Sequence, residues 1–508
     1  MTKAAFSTLF LCCLILLVST SCSKSGTSDS DRSLTKHPEL VADGELLSVA
    51  DLAGGSNLPV GEVMKTSWAG DFPGMVERRV IRALVIPNKM SYFLDGATQR
   101  GAAFEALTQL EEEINKKRKT GNLKIYVIVI PTTRDRVIPD LMAGRGDIAA
   151  TNLTPTPERE QHVDFLEPFI TDVSEVVVTG PGGPTLEALE DLAGKTVYIR
   201  RSSSYWEHLV ELNESFFVKS GLKPVVMKPA DELLETEDIL EMVNAGLVDI
   251  TIADSYLADF WKQVLDDIQV HPGITIHSGD QSSWAIRKDS PELKHLMNDF
   301  VKVRKKGTLL GNILLNRYLK DTSWVENSLT PEKLEQFNAT IGLFQRYADS
   351  FGFNHLMITA QAYQESGLDQ SKRSRAGAIG IMQLLKSTAS DPNVGVEEID
   401  KIENNVHAGV KYLRFLSDRY FSDPEINEMN RTLLAFAAYN AGPSRITKVR
   451  AKTAEMGLDP NKWFRNVEVA AAHEIGRETV QYVSNIYKYY IAYQRIVTQE
   501  ELRATAKG

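Results

Sequence analysis

Cysteine is the residue whose scarcity says most about this 508-residue chain. The only three, Cys12, Cys13 and Cys22, lie within the first 22 residues. The remaining sequence has no thiol that could form a disulfide, bind zinc or act as a nucleophile. A folded body of this kind must be stabilised by its hydrophobic core, and 43% hydrophobic residues are enough to build one.

Two further absences exclude whole classes of function. The formal net charge is −10, so the chain has no basic surplus for binding nucleic acid. The nine histidines form no HExxH pattern, and His473-Glu474 is followed by Arg477 where a second histidine would be needed. We therefore expect neither a nucleic-acid partner nor a metal hydrolase, and we predict no metal or cofactor.

Long hydrophobic runs are also absent, except for Ala4 to Val18 at the N-terminus. This run follows Lys3 and is too short for a spanning helix, which predicts an export signal over residues 1–21. The next residues, up to Cys22, resemble a bacterial lipoprotein signal. That resemblance implies lipidation of Cys22, and Ser23 implies sorting to the outer membrane of a Gram-negative cell. The alternative is ordinary cleavage near an incidental thiol.

The composition then changes along the chain. Residues 22–76 are rich in Ser, Gly and Asp, which predicts a flexible tether. Beyond it, strand-like runs at Arg82 to Pro87 and Leu123 to Ile130 flank a helical pattern from Gly101 to Lys119. This is a βαβ unit with parallel strands, and the pattern recurs. We predict a two-lobed α/β domain over residues 77–322.

Several motifs of this first domain resemble the periplasmic solute-binding proteins of the amino-acid type. They run in order along the sequence: Leu141 to Ala150, Thr154 to Phe165, Glu167 to Phe169, Leu192 to Thr196, Trp284 to Leu293 and Lys306 to Leu309. The resemblance implies a ligand cleft between two lobes. It also implies a small ligand, either an amino acid or a cell-wall muropeptide.

Three residues are implied to bind that ligand. Arg159, three residues after Thr156, matches the arginine that holds the ligand carboxylate, and Asp254 matches the acid that holds the ammonium. Two alternatives stay open for them. Arg159 fits a solvent-facing residue of a short turn, and Asp254 fits an N-cap of the helix that starts near Ser255. Tyr92 and Phe93 are either ligand-stacking or core residues.

The second domain, predicted over residues 330–500, is nearly all helical. Thr330-Pro331 has the composition of a helix start, and apolar residues then repeat at helical spacing. The main predicted helices are 354–365, 402–420, 431–439 and 467–496. The fold class is therefore α/β plus α: a two-lobed periplasmic-binding-protein-like domain followed by a mostly α-helical, lysozyme-like domain.

One carboxylate in this domain has a special position. Glu365 lies in the last turn of a predicted helix that Gly367 ends. The helix dipole disfavours a negative charge there, and burial would raise the pKa of Glu365 further. A general acid near neutral pH needs such a pKa. Taken alone, however, an exposed glutamate at a helix end is the better interpretation.

Motifs around Glu365 resemble the soluble-lytic-transglycosylase (lysozyme-like) domain. They are Glu365-Ser366-Gly367, Gly377 to Gln383, Ala438 to Gly442 and Glu478 to Val483. The resemblance implies that Glu365 is the single catalytic acid and base. It also implies that Ser374, Met382, Gln383, Tyr439 and Asn440 form the sugar site, with Glu478 and Tyr482 in support. The alternatives are loop or cap roles for Ser374, Gln383 and Asn440, and core packing for Tyr439.

A single carboxylate has a mechanistic consequence. Hydrolytic glycosidases usually have two, yet no Asp or Glu occurs from Gln370 to Ser390. The resemblance implies that Glu365 protonates the glycosidic oxygen between N-acetylmuramic acid and N-acetylglucosamine. The carboxylate then takes a proton from the muramyl C6 hydroxyl, which closes a 1,6-anhydro ring.

The order of the two domains resembles the membrane-bound lytic murein transglycosylase F family, over about Glu77 to Thr498. The resemblance implies an enzyme that cleaves peptidoglycan strands without hydrolysis, with a first domain that senses a small ligand. We expect it on the periplasmic face of the outer membrane, lipid-anchored or peripheral. The alternatives are a solute-binding sensor or importer component with an inactive lysozyme-like domain, and a hydrolytic muramidase.

Overall fold

The computed structural model describes residues 67–95, 98–319 and 329–507. The predicted export signal, Cys22 and most of the predicted tether lie outside the described residues. The last part of that tether is not flexible, however. Helix α1 (Phe72–Glu77) begins at an Asp71 cap, and both Phe72 and Met75 are buried. The folded body therefore begins before residue 77, because these apolar side chains pack into the first core.

The first lobe is built on a parallel βαβ unit, as predicted. Strand β1 pairs in parallel with both β4 and β5, and the apolar face of α2 packs against them. The elements are α1, β1 (Val80–Val85), β2 (Phe93–Asp95), β3 (Thr98–Arg100), α2 (Ala102–Arg118), β4 (Tyr126–Pro131), α3 (Arg134–Met142), β5 (Ile148–Leu153), α4 (Pro157–Glu160) and β6 (Val163–Phe165).

The second lobe follows directly along the chain. Its elements are β7 (Ile170–Thr179), β8 (Thr196–Arg200), α5 (Ser204–Leu212), β9 (Val226–Ala230), α6 (Thr236–Asn244), β10 (Ile250–Asp254), α7 (Ser255–Trp261) and β11 (Gln269–Arg287). A 3-10 turn (Leu189–Leu192) and a π turn (Asn213–Val218) lie between them. Helices α8 (Pro291–Lys302) and α9 (Leu309–Leu319) then pack on the first lobe.

One long strand connects the two lobes. The main sheet has the order β10-β7-β11-β5-β1-β4, with β6 also paired to β11. The first part of β11 pairs with β7, while its last residues pair with β5 and β6. A short parallel pair, β8 and β9, forms a separate sheet in the second lobe. The predicted two-lobed α/β fold is confirmed.

The first lobe contains a buried ion cluster. Asp147 is fully buried and contacts the guanidinium groups of Arg78, Arg82 and Arg287. Its Oδ2 also accepts the backbone N–H of Arg82 at 2.7 Å. A buried carboxylate is tolerated only when charge and hydrogen bonds compensate for lost water, and this one has both. The cluster fixes the start of β5 against β1.

The second half of the chain is helical, as predicted. Its helices are α10 (Pro331–Phe351), α11 (His355–Ser366), α12 (Lys386–Ala389), α13 (Ile402–Tyr420), α14 (Glu428–Ala441), α15 (Pro443–Glu455), α16 (Glu468–Glu474) and α17 (Glu478–Lys507). A π turn (Trp463–Val467) precedes α16. Helix α11 packs between α10 and α17 and buries most of its side chains.

The predicted single helix over residues 467–496 is wrong. The structure breaks it into α16 and α17 at Ile475 to Arg477. Gly476 has a φ of 89°, which no helical residue adopts. The break lets Arg477 turn to the first lobe, where its guanidinium contacts Gln99 and the carbonyl oxygen of Val129.

Candidate active site

The end of helix α11 positions Glu365. Asn354 caps the start of this helix, and Gly367 ends it in the left-handed conformation, with its N–H donating to the Tyr363 carbonyl at 2.7 Å. The hydroxyl of Ser366 donates to the carbonyl of Ile381 at 2.9 Å. The helix end is thereby fixed to the loop that follows it, and the Glu365 side chain is held at their junction.

A chain of hydrogen bonds orients the Glu365 carboxyl. The Tyr482 hydroxyl, from α17, donates to Glu365 Oε1 at 2.5 Å. Gln361, one turn before Glu365, donates its amide to the same hydroxyl oxygen at 3.1 Å. Gln361 is fully buried and Tyr482 is nearly so. Two buried side chains thus hold one oxygen of the carboxyl in place. Glu365 itself remains partly exposed to solvent.

Burial raises the pKa of Glu365 to about 7, from an ordinary value of 4.5. The hydrogen bond from Tyr482 lowers this pKa, but by less than burial raises it. Among the residues that the structure describes, no second carboxylate contributes to the shift. Glu365 is therefore an acid that still holds its proton close to neutral pH, without the paired acid of a two-carboxylate site.

The loop that follows α11 is folded tightly against α13. Gly380 has a φ of 80°, and a Cβ at this position would lie 2.5 Å from Asn405 Nδ2. Asn405 is fully buried; it accepts the N–H of Met382 and donates to the carbonyls of Ile379 and Ile399, each at 2.9 Å. Only glycine fits this contact, so the loop has a single position beside the helix end.

Two predicted sugar-site residues meet beside Glu365. The Tyr439 hydroxyl, from α14, donates to the carbonyl of Met382 at 2.7 Å. Burial raises the pKa of Tyr439, and the charge of Glu365 raises it further, so the two groups are close in space. The Met382 side chain is buried against Gly409. Met382 and Tyr439 thus form a floor next to the acid.

The other predicted residues lie around this floor. Ser374 is exposed, and its hydroxyl accepts the N–H of Ala378 at 3.0 Å. Gln383 donates to the carbonyl of Gly380 at 2.8 Å, and the exposed Asn440 accepts the Thr479 hydroxyl at 2.7 Å. Glu478 is exposed at the first residue of α17. These contacts match the loop and cap roles left open by the sequence, and the sugar-binding roles stay predictions.

Arg159, the predicted ligand-carboxylate residue, is buried and not solvent-facing. Thr156 caps α4 and accepts the N–H of Arg159 at 3.4 Å. The guanidinium of Arg159 donates to Glu207 Oε1 of the second lobe at 2.9 Å and to the carbonyls of Thr154 and Ser202. A carboxylate of the protein itself thus occupies the position that the resemblance assigns to a ligand.

Asp254, the predicted ammonium residue, lies at the end of β10, directly before α7. Its side chain makes no capping hydrogen bond, and its Oδ1 is buried without a partner. Burial raises the pKa of Asp254 to about 7, and the charge of Glu175 adds to the shift. A buried carboxyl without a hydrogen-bond partner is stabilised in its charged form by a cationic group beside it.

Both predicted ligand residues line one cavity between the lobes, of about 60 Å³. This is small compared with a typical ligand pocket, and the two lobes contact each other across it. Ion pairs join the two lobes, among them Arg159 with Glu207 and Arg134 with Glu235. Burial alone would raise the pKa of Glu235, but Arg134 and Arg200 lower it to about 2. Tyr92 and Phe93 are not among the cavity-lining residues.

Sequence reasoning missed several residues of both sites. Gln361 lies on the predicted helix 354–365, but only the structure joins it to Tyr482. Asn405 lies in the first turn of an ordinary helical pattern and has no sequence signal. Glu207 and Arg134 are not distinguished by sequence from the other charged residues of their helices. They become partners of Arg159 and Glu235 only because the two lobes contact each other.

With this geometry in hand, the chain can be compared with known proteins. Residues 91–320 match the family described as "Bacterial extracellular solute-binding proteins, family 3", and residues 342–461 match the "Transglycosylase SLT domain". The second match contains Glu365 and the predicted sugar-site residues but ends before Glu478 and Tyr482. These two matches define the class: a transglycosylase domain joined to a solute-binding domain.

Curated relatives share both domains. The chain is 30% identical over 424 residues to membrane-bound lytic murein transglycosylase F of Desulfosudis oleivorans, which covers 79% of this chain and 87% of the relative. It is 24% identical over 461 residues to the protein of that name from Pseudomonas fluorescens, covering 85% and 89%. The chain belongs to the membrane-bound lytic murein transglycosylase F family, and the predicted membership is confirmed.

Solved structures of binding proteins match about half of this chain. The substrate-binding protein of an amino acid ABC transporter matches with a TM-score of 0.38 and 19% identity, covering 48% of this chain and all of that one. A putative ABC transporter binding component from Wolinella succinogenes, complexed with lysine, matches with a TM-score of 0.40 and 20% identity, covering 49% and 98%. In the described part of this chain, no helix is both long and apolar enough to cross a bilayer.

The raised pKa of Glu365 predicts a pH-dependent cost in stability. The folded state holds this proton up to about pH 7, whereas the unfolded chain releases it near 4.5. Stability from the bound proton is complete below 4.5 and is lost as the pH rises through 7, by up to about 3 kcal/mol. Glu365→Gln removes the titration, so its melting temperature should exceed that of the wild type more at about pH 8 than at about pH 5. Glu397→Gln, at an exposed loop, is the matched control. An equal difference at both pH values would contradict the assignment.

Proposed function

We propose that Glu365 is the single acid and base of this enzyme, a peptidoglycan lytic transglycosylase. The proposal rests on one observation: burial raises the pKa of the Glu365 carboxyl to about 7, while the Tyr482 hydroxyl holds that carboxyl in place. At neutral pH a large fraction of Glu365 is protonated and able to donate to the glycosidic oxygen. The resulting carboxylate is stabilised by the Tyr482 hydroxyl, which already donates to it.

The chemistry needs one proton donor that becomes one proton acceptor. Glu365 protonates the oxygen between N-acetylmuramic acid and N-acetylglucosamine, and the C1–O bond breaks. The acetamido group of the substrate stabilises the cationic C1. The Glu365 carboxylate then removes the proton of the muramyl C6 hydroxyl, whose oxygen bonds to C1. The product carries a 1,6-anhydro ring, no water is consumed, and Glu365 regains its proton.

The two rival functions fit the site less well. A hydrolytic muramidase with two carboxylates needs a second acid beside the bond, and none contributes to the environment of Glu365. A binding protein with an inactive lysozyme-like domain would have no reason to keep a desolvated, hydrogen-bonded acid. Burial of a carboxyl is costly, and a catalytic role accounts for the cost.

We further assign substrate contacts to the residues around the acid. Tyr439, with the buried Met382 behind it, is proposed to form the floor of the sugar site, and Ser374, Gln383 and Asn440 are proposed to bind sugar hydroxyl and acetamido groups. Glu478 and Tyr482 support the site from α17. The domains are proposed as 77–322 and 330–500, with the folded body beginning slightly before the first of these.

Analysis of peptidoglycan digests tests this function. Wild-type chain should release muropeptides with 1,6-anhydro ends, detected by mass spectrometry. Glu365→Gln should lower that release by at least about 1,000-fold, because the acid and base is lost. Glu397→Gln, at the exposed loop, should retain activity. Products with reducing muramic acid ends would instead show hydrolysis, and absence of any release by the wild type would support the binding protein.

We propose that the cleft of the first domain binds a small zwitterionic ligand, an amino acid or a muropeptide. Its carboxylate would replace Glu207 on Arg159, next to the Thr156 turn, and its ammonium would pair with the unpartnered Oδ1 of Asp254. The first contact replaces an ion pair within the protein by one of the same charge type, and the second gives a partner to an unpartnered carboxylate oxygen. Since the cavity holds only about 60 Å³, the lobes must open for binding.

We also propose that α17 couples the cleft to the acid. Near its start Arg477 contacts the first lobe, and further along Lys488 pairs with Asp238 of the second lobe at 2.7 Å. Tyr482 lies between these two anchors on the same helix. Opening of the lobes would therefore pull on the helix that holds the Glu365 carboxyl. Ligand binding in the cleft is proposed to regulate cleavage in this way.

A thermal shift assay tests ligand binding. Addition of the correct amino acid or muropeptide should raise the melting temperature of the wild type, since only the folded state binds it. Arg159→Ala should abolish the shift, while Arg145→Ala, an exposed arginine of the same lobe, should not. The same ligand should change the rate of anhydromuropeptide release. No shift with any amino acid or muropeptide would contradict the binding role.

We propose that Cys22 is lipidated and that the enzyme is anchored at the periplasmic face of the outer membrane. The support is the lipoprotein-like sequence before Cys22 and the family itself, whose relatives are named membrane-bound. Such an anchor would hold the enzyme beside its polymeric substrate.

Metabolic labelling in a Gram-negative host tests the anchor. The wild type should incorporate a fatty-acid analogue, Cys22→Ala should not, and Cys12→Ala should label normally because Cys12 leaves with the signal. An unlabelled wild type would rule out lipidation and leave peripheral association.

A further inference from the structure

A cluster of titratable side chains in the second lobe extends from the cleft acid Asp254 to residues that line neither site described above. His277 of β11 and Asp254 of β10 are each directly opposite Glu175 of β7. Directly opposite residues of a sheet point to the same face, so these three side chains form a row. His208 of α5 packs on this face, with its Nδ1 2.9 Å from Glu175 Oε2. One end of the row is therefore the cleft acid Asp254, and the other end is a histidine pair.

The histidine pair is compact. The rings of His208 and His277 are stacked, with centroids 4.0 Å apart, and His277 Nδ1 is 2.9 Å from Asp280 Oδ2. One ligand atom from each of His208, His277 and Asp280 lies within 4.8 Å of those of the other two. Within residues 67–95, 98–319 and 329–507, no other trio of His, Cys, Asp or Glu side chains meets so closely.

The cluster has an excess of buried negative charge. Glu175 is fully buried, and its Oε1 has no hydrogen-bond partner. Asp280 is also buried, and Asp254 Oδ1 is unpartnered one strand further along. Unpartnered carboxylate oxygens are costly in a protein interior. Neutral imidazoles leave this charge uncompensated, whereas a divalent cation would offset two units of it.

We propose that His208, His277 and Asp280 bind a Zn²⁺ ion. Two imidazoles and a carboxylate are ligands that Zn²⁺ prefers, and water would complete a four-coordinate site. Glu175 holds the Nδ1 of His208, which leaves the Nε2 of that ring for the metal; such a carboxylate partner is typical of histidine ligands.

Binding requires only a small rearrangement. Zn²⁺ bonds of about 2.0–2.2 Å bring ligand atoms within roughly 3.5 Å of each other, so the trio must contract by about 1 Å. The His277 side chain is 45% exposed and can turn out of the stack, which also gives the ion a path from solvent. No sequence pattern indicates this site, because His208 and His277 belong to different elements of the lobe.

Cobalt titration of the full-length chain, purified in detergent without a polyhistidine tag, tests the site. The wild type should bind one Co²⁺ per chain with the strong visible absorption of four-coordinate cobalt, and Zn²⁺ should displace it. His277→Ala should weaken Co²⁺ binding at least about 100-fold, and Glu175→Gln, which keeps the shape, about 10–100-fold. His295→Ala removes an exposed histidine that lies beside Asp299, and should change nothing.

The design separates loss of metal binding from loss of fold. His277 is largely exposed, and its variant should keep the wild-type circular dichroism spectrum and release of anhydromuropeptides. Absence of the cobalt absorption in the wild type would overturn the proposal. Unchanged stoichiometry and affinity in His277→Ala would overturn it equally, since the cobalt would then be bound elsewhere.

Discussion

The removal of one carboxyl group from water is the constraint on which the rest of this enzyme depends. Glu365 holds its proton near neutral pH because burial disfavours the charged form. Its position in the last turn of α11 acts in the same direction, since helix carbonyl ends disfavour a negative charge. A buried acid must also be oriented, and Tyr482 and Gln361 do this from two helices. The hydrogen bond from Tyr482 partly offsets the effect of burial, and so the pKa of Glu365 stays close to neutral pH.

Helix α17 joins this acid to the rest of the molecule. It packs against α11, carries Tyr482 and contacts the second lobe through Lys488, while Arg477, directly before it, contacts the first lobe. One hydrophobic cluster includes side chains of the helical region and of the second lobe, among them Phe344 and Trp261. The proposed regulation needs no further element between the two sites. The helix that holds the Glu365 carboxyl is also the helix that contacts the second lobe.

The sequence allowed much of the fold to be predicted, for identifiable physical reasons. The β-branched runs and the amphipathic pattern of α2 define the βαβ unit, and α13 was predicted with its observed ends. The break at Gly476 was missed because a single glycine in a strong helical pattern is usually tolerated. Phe72 and Met75 were missed because two apolar residues after a polar stretch form no periodic signal.

The two sites also differ in how far they could be predicted from the sequence. Glu365 and its neighbours belong to short contiguous motifs, and so their proximity can be inferred from sequence. The contact of Arg159 with Glu207 cannot, because it joins two lobes and depends on cleft closure. The same holds for Asn405 under the Gly380 loop and for His208 stacked on His277. Long-range pairing of polar side chains has no local sequence pattern.

The ionisation of Glu365 itself is the most direct test of the account. Infrared difference spectra between the wild type and Glu365→Gln isolate the C=O stretch of the protonated carboxyl, which can be followed as the pH is raised. The account predicts that this band disappears with a midpoint near pH 7. A midpoint near the ordinary value of 4.5 would show that Glu365 is a carboxylate at neutral pH and would contradict its role as the proton donor.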